Sequence, residues 1–390
     1  EVPSFGYANY YVRERQAPPR KKRQEEPRVH RMEDGALVLE NEKVRAVFAT
    51  DSMKLTALVD KSSNQDLLKG RPSGYFRYIQ EEDTGDYSAW IVGAYRKVED
   101  LNETCAIQVT GQKLVGIRKW IDYRMQFHHS SVEVRIALDE GSAMLRYRVR
   151  TDWHELGGEN GGAPQLQFYV PFGYDASATS YDVAGGVLSR RPAGHDVPAI
   201  YFAAPIPEKS GSALMLTSDC KYGYRTENNA MLMNLVRTSH GPDPYPDQGI
   251  HHWELGLMVC RSVDWTELTE GAMCFSHPIY AYSNSVHKGI LGQSQSFLQI
   301  SGRVKAASLK QTEDGNGLLI RYYNCSFDRE QVAVKVWKPW EQARLSNGLE
   351  EDQELLGEKG EVLSIIQEPG AMDAIKLVYG RPEPGRDDPL

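Results

Sequence analysis

Cysteine is scarce and scattered. The 390 residues hold five (Cys105, Cys220, Cys260, Cys274, Cys325), an odd number with no CxxC pair. That spacing suggests neither a zinc knuckle nor a disulfide framework, and it points to reduced thiols in the cytoplasm. No run of 18 apolar residues exists and no signal-peptide pattern opens the chain, so no membrane partner is expected. Positive charge is in deficit, 45 Lys and Arg against 53 Asp and Glu for a net charge of −8. A negative balance argues against nucleic acid or an anionic membrane as a main partner. The one basic cluster, Arg20-Lys21-Lys22-Arg23, lies in the proline-bounded stretch Pro18–Pro27 beside Glu25 and Glu26 and reads as a solvated linker. No internal repeat is visible. Helical patterning is almost absent as well: only Trp265–Cys274, after a Ser262-Val263-Asp264 cap region, reads as a helix.

What is present is short alternating β-pattern. Val132, Val134, Ile136 and Leu138 alternate with Glu133, Arg135 and Ala137, and Leu145, Tyr147 and Val149 alternate with Arg146, Arg148 and Arg150. The Asp139-Glu140-Gly141 turn between them makes a hairpin with matched apolar faces. Further strands are expected over Leu37–Phe48, Ala106–Thr110, Leu166–Val170, Ala213–Leu216, Met231–Val236, Glu254–Val259, Phe297–Ile300, Leu318–Tyr323, Val332–Val336, Val362–Ile366 and Ala374–Val378. Many short strands with 34 Gly and 20 Pro point to sandwich architecture. At about 150 residues per domain the length suggests two or three domains. One break falls near Ser283–Gln293, and the tail Gly380–Leu390, rich in Pro and Gly, reads as frayed.

The chemistry concentrates in two stretches, Lys221-Tyr222-Gly223-Tyr224 and Asp243-Pro244-Tyr245-Pro246-Asp247-Gln248-Gly249. Three prolines and a glycine over Pro242–Gly249 make an ordered turn, so Asp243, Asp247 and Gln248 are held in place. Carboxylates and amides hydrogen-bond hydroxyls, while Tyr222, Tyr224 and Tyr245 offer faces to the C–H side of a pyranose. Trp90, after the acidic stretch Glu81–Tyr87 with Asp86, suits the same task, although Ile91 and Val92 beside it also fit a buried indole. Asp243 and Asp247 do not make a catalytic carboxylate pair, because four residues on a proline-rich turn give no assured spacing across a bond. His251 and His252 are adjacent on a strand and face opposite ways, which disfavours one shared metal. Asp182 reads as a turn or interdomain hydrogen-bonding residue.

These pieces resemble, in order, the C-terminal region of glycoside hydrolase family 38 α-mannosidases. Leu39–Phe48 resembles the family's LENE-x-[LV]-R-V-x-F strand, Ala89-Trp90 its aspartate-alanine-tryptophan segment, and Tyr181–Gly186 its YDVPFG. Ser212–Tyr224 resembles the strand ending in KYGY, Leu235–Ser239 with Asp243–Gly249 the LLRS … PDP … DQG stretch of bacterial members, and Pro3–Tyr7 the VPalGYktY entry. Ser88 stands where bacterial relatives often have aspartate, which weakens a direct sugar contact at that residue and leaves Asp86 to substitute.

The resemblance implies an all-β chain: a galactose-mutarotase-like β-supersandwich followed by a smaller C-terminal β-sandwich. Its expected divisions are an entry strand and linker over 1–30, the supersandwich over 31–285 and the small sandwich over 286–390, with Glu1–Tyr11 adding a strand to the second sandwich. The family's His-x-Asp pair and HHDA motif, which belong to the catalytic domain and the bundle after it, do not occur here. The chain is therefore expected to be the C-terminal part of a bacterial α-mannosidase, inactive alone and without catalytic or metal-binding residues of its own. Zinc or another divalent metal is expected in the catalytic domain. Expected partners are that domain, an α-mannoside or mannose-containing oligosaccharide, and a further copy of the chain in a homo-oligomer. Trp90, Asp86, Asp243, Asp247 and Gln248 are the substrate-binding candidates. The rival reading is a free-standing carbohydrate-binding β-protein; a mutarotase or lyase would need a histidine and carboxylate converging in a groove, and His154-Glu155 is a weak seed for one.

Overall fold

Alternation along the strands decides which side chains reach the core. In the hairpin Ser130–Asp139 and Met144–Trp153, Val134 lies opposite Val149 and Ile136 opposite Tyr147, and all four are buried. The intervening arginines stay at the surface, paired across strands as in Arg135 to Asp122 and Arg148 to Glu254. The computed structural model describes residues 2–12, 35–158, 161–192, 194–261 and 264–379. The Pro18–Pro27 linker, the Gly380–Leu390 tail and Ser262-Val263 of the cap region lie outside the described residues. Asp264 is described, and its side chain accepts the Thr266 N–H to cap the helix Trp265–Ser276.

The architecture is all-β, as expected, and the chain divides into two units. The larger comprises Arg23–Val183 and Leu188–Pro278, the smaller Glu1–Lys22, Ala184–Val187 and Ile279–Leu390. The larger carries the supersandwich. One sheet has nine strands, with Gly249–Cys260 at its centre between Ala213–Ser218 and Met144–Trp153. A second has six, in the order Val197–Pro198, Gly223–Glu227, Ala230–Arg237, Pro164–Pro171, Tyr75–Glu81, Tyr95–Asp100. A four-stranded sheet opens the unit. Between the large sheets one core gathers Phe76, Phe168, Tyr147 and Trp153 with many aliphatics.

Leu37–Phe48, expected as one strand, is a hairpin of Leu37–Glu40 and Val44–Phe48. Its turn forms because the Asn41 side chain accepts the N–H groups of Lys43 and Val44, the local bonding that makes Asn a turn former. Gln108–Lys113 replaces the expected Ala106–Thr110. In the smaller unit, Gly6–Ala8 pairs antiparallel with Ser294–Ser296, and the long strands Glu330–Ser346 and Asp352–Gln367 pair beside a second core around Ile320, Tyr322 and Val334. Among the described residues no helix is long and apolar enough to cross a membrane.

Asp60 ends the Leu55–Asp60 strand as a buried carboxylate. Burial pushes its pKa up, but donors from Ser212 (2.6 Å), Ser62 (2.7 Å from its hydroxyl, 2.9 Å from its N–H) and Ser63 (3.2 Å) outweigh that and hold it below 3.8. A carboxyl depressed in the folded state stabilises above its unfolded pKa and loses that contribution as pH falls through the folded value. Asp60→Asn is therefore expected to lower stability by about 1–3 kcal/mol at pH 7. The gap to the native chain narrows as denaturant melts are repeated below pH 3.8. A gap unchanged at low pH would contradict the assignment.

Candidate functional site

The six-stranded sheet has a polar outer face that is nonetheless buried. In Pro164–Pro171, Leu166, Phe168 and Val170 enter the core while Gln165 and Gln167 point the other way, and all five are closed from solvent. Glu81, at the end of the adjacent strand, is fully buried on this face. Its Oε1 accepts Gln165 Nε2 and Arg237 Nε at 2.6 Å each; its Oε2 accepts Arg237 Nη2 and the Gly93 N–H at 2.7 Å each. A buried carboxylate persists only when its lone pairs are filled in this way. Beside it, Asp196 accepts Arg225 Nε and Asn234 Nδ2, Arg225 lies 4.2 Å over the Tyr95 ring, and Gln167 donates to both Tyr95 and Asn234.

Arg237 does more than pair with Glu81. Its remaining donors reach the carbonyls of Ser88 (2.5 Å) and Ile91 (2.9 Å), so one guanidinium spans the loop between Glu81 and Tyr95. Ser88 lies in that loop, just past the short 3₁₀ turn Gly85–Tyr87, with no exposed surface. Its hydroxyl accepts the N–H groups of His240 and Gly241, both at 2.9 Å, and Ala89 N–H donates to Gly241 C=O at 3.1 Å. Gly241 is needed for this approach: a Cβ there would sit 2.9 Å from the Asp86 carbonyl oxygen and 3.0 Å from its Cα. His240 Nε2 lies 3.1 Å from an Asp83 carboxylate oxygen. Two segments about 150 residues apart are thereby fastened into one rim.

On this rim Trp90 is 69% exposed, with Tyr87 6.4 Å away between ring centroids, and Asp86 is exposed too. The turn following Gly241 carries Asp243, exposed, accepting the Tyr245 N–H at 2.9 Å. Asp247 is exposed in the left-handed region, φ 59°, and its carbonyl oxygen lies 2.7 Å from His251 Nε2. Gln248 is half-buried and donates Nε2 to the carbonyls of Glu155 (2.9 Å) and Pro246 (3.4 Å), so its amide nitrogen serves the turn. Glu155 is buried and accepts the His129 N–H and the Ser130 hydroxyl. Lys221 lies 4.5 Å over the Trp253 ring; burial lowers its pKa, and Cys220, Asp247 and Asp219 oppose that shift.

Of the three tyrosines expected as sugar platforms, Tyr222 and Tyr245 are exposed but Tyr224 is not. Tyr224 falls on the core side of the Gly223–Glu227 strand, where alternation buries it with Thr226. Glu81, Arg237, Ser88 and Glu155 organise the rim, and no motif or periodicity in the sequence marks them for it. The available signal was a charged residue closing the strand at both Glu81 and Arg237. Among the described residues no three His, Cys, Asp or Glu side chains gather to hold a metal ion.

The glycosyl hydrolases family 38 C-terminal domain matches residues 39–245, more than half the chain, and the family's C-terminal β-sandwich domain matches residues 303–372. Alpha-mannosidase G of Dictyostelium discoideum is 21% identical over 310 residues, covering 74% of this chain and 27% of that protein. An alpha-mannosidase of Saccharomyces cerevisiae is 26% identical over 125 residues, 32% of this chain and 11% of that one. The crystal structure of an alpha-mannosidase from Enterococcus faecalis V583 superposes with a TM-score of 0.72 at 13% identity, over 87% of this chain and 42% of that one. The chain thus spans about a quarter or less of the curated relatives it matches and under half of this solved structure.

Proposed function

We propose a function on the premise that the chain belongs to glycosyl hydrolase family 38, whose C-terminal domain it carries over residues 39–245. On this reading it is the C-terminal part of an α-mannosidase, an enzyme hydrolysing α-mannosidic bonds. Its own contribution is a pocket wall and structural support for a catalytic domain that holds the divalent metal and the nucleophile. The observation carrying this is the Ser88 fastening, which turns two distant segments into one stiff rim bearing Trp90, Tyr87, Asp86 and the Asp243–Gln248 turn. Rigid aromatic faces beside carboxylates are what a pyranose, apolar on its C–H face and hydroxylated at its edge, requires. Trp90 stacks on the sugar, while Asp86, Asp243 and Asp247 accept from its hydroxyls and the Gln248 carbonyl oxygen accepts one more.

The test compares hydrolysis of an aryl α-mannoside, with zinc present, by this chain alone and by the chain joined to a family 38 catalytic domain. No turnover is expected from the chain alone and turnover from the joined protein. Within the joined protein Trp90→Ala is expected to raise KM about tenfold, equivalent to about 1.4 kcal/mol of binding, while the melting temperature stays put because the ring is exposed. Hydrolysis by the chain alone would sink the division of labour, and an unchanged KM would remove Trp90 from the pocket wall. Mannoside affinity in the chain alone that is lost in Trp90→Ala, with no gain on joining, would favour a stand-alone carbohydrate-binding protein.

A further inference from the structure

The smaller unit carries a second aromatic ledge. Leu298 and Val336 are cross-strand partners that enter its core, so their neighbours Phe297, Gln299, Lys335 and Trp337 face outward together. Gln299 lies directly opposite Lys335, and the Trp337 N–H donates to the Phe297 carbonyl at 3.0 Å, which places the two aromatics side by side. Their rings meet edge to face, 5.7 Å apart at 86°, an arrangement that fixes the indole. The Tyr7 ring lies 6.0 Å from that of Phe297 between centroids, and its hydroxyl donates to the Gly292 carbonyl. Trp337 and Phe297 nevertheless remain 40% and 38% exposed. A groove of about 330 Å³ runs between Ser294–Ser296, Gln299 and Lys335–Trp337, near the small end of the ~300–1,000 Å³ typical of ligand sites.

We propose that this groove is a second carbohydrate-binding site, taking one or two rings of an α-mannose-containing oligosaccharide stacked on Trp337. A held indole costs little entropy to present, and it is flanked by an amide and an ammonium that lie exposed and ready for hydroxyls. The groove is small and interrupted by polar groups, where a stable protein interface buries about 800 Å² per partner. The identity of the sugar rests on the α-mannosidase reading; the groove itself does not. Its task is to hold a glycan chain without cleaving it.

Affinity electrophoresis of the full chain tests this, in gels containing soluble α-mannan, β-glucan or galactan. Retardation by α-mannan is expected, with Trp337→Ala weakening it at least fivefold and Gln299→Ala with Lys335→Ala weakening it at least threefold. Trp337→Phe should retain part of the affinity, which separates loss of stacking from loss of fold, and thermal melts of each variant check the latter. Turnover of a small aryl mannoside by the joined protein is expected to be unaffected by Trp337→Ala. Retardation by no polysaccharide, or retardation equal in the native chain and Trp337→Ala, overturns the site. Trp337-dependent retardation by glucan or galactan alone overturns the mannoside assignment, and the rim reading then stands or falls separately on the Trp90 turnover experiment.

Discussion

Replacing Arg237 with methionine is expected to destabilise the chain by about 3–5 kcal/mol, the usual result of stranding one member of a buried ion pair. Glu81 has no exposed surface, and two of its four hydrogen bonds come from this guanidinium. The variant leaves a carboxylate in the protein interior with only Gln165 and the Gly93 N–H to satisfy it. It also releases the Ser88 and Ile91 carbonyls, so the Trp90 loop loosens at the same stroke. Equilibrium denaturation of the full chain measures the first effect. Proteolysis between Glu82 and Ala94 measures the second, because a loop released from its anchor opens more often.

A double variant separates charge from shape. Glu81→Gln combined with Arg237→Met removes both charges, so it is expected to recover about half of the lost stability while leaving the loop susceptible to protease. If the single and double variants are equally unstable, the loss comes from packing around the methionine and the ion pair has no special part in holding the rim. If Arg237→Met costs under about 1 kcal/mol, the pair behaves as a surface ion pair would, and the rigidity attributed to the rim is lost with it.

The strands were legible in the sequence where one face is buried and the other wet. The hairpin from Ser130 to Trp153 obeys that rule residue by residue, because period-two alternation leaves a single register that buries Val134, Ile136, Tyr147 and Val149. Leu37–Phe48 misled because the apolar runs on either side of the polar interval 40–43 read as one strand, and only the Asn41 side-chain bonds show the turn. Of the candidate site, the sequence showed residue types on turns: Trp90, Asp86, Asp243 and Asp247 are exposed, whereas Gln248 is half-buried with its amide nitrogen bonded to the Glu155 and Pro246 carbonyls. What joins them was not legible there. Glu81, Ser88 and Arg237 act across about 150 residues of sequence, and a buried polar network has no periodic signature because each member is defined by partners that only the fold supplies. Tyr224 shows the converse: its motif suggested a sugar-facing ring, but its strand position assigns it to the core.

Ser88→Ala is the sharper test of whether that network serves the rim or only the fold. The substitution removes one oxygen and strands the N–H groups of His240 and Gly241, each in a buried or half-buried position. An unpaired buried donor costs about 1–3 kcal/mol, so a total loss of about 2–4 kcal/mol is expected, less than the full sum because Ala89 still bonds the Gly241 carbonyl. The affected groups lie directly before the turn that carries Asp243 and Asp247, while the core strands keep all their partners. The loss should therefore appear first as local opening: amide exchange at His240 and Gly241 is expected to accelerate by about tenfold or more, at about 1.4 kcal/mol per decade, before global unfolding contributes. In the joined protein KM for the aryl α-mannoside should rise alongside it, with kcat falling less. Accelerated exchange with KM untouched would show a fastening that steadies the β-unit without shaping a sugar pocket, and the wall assigned to Trp90 and the Asp243–Gln248 turn would lose its physical basis.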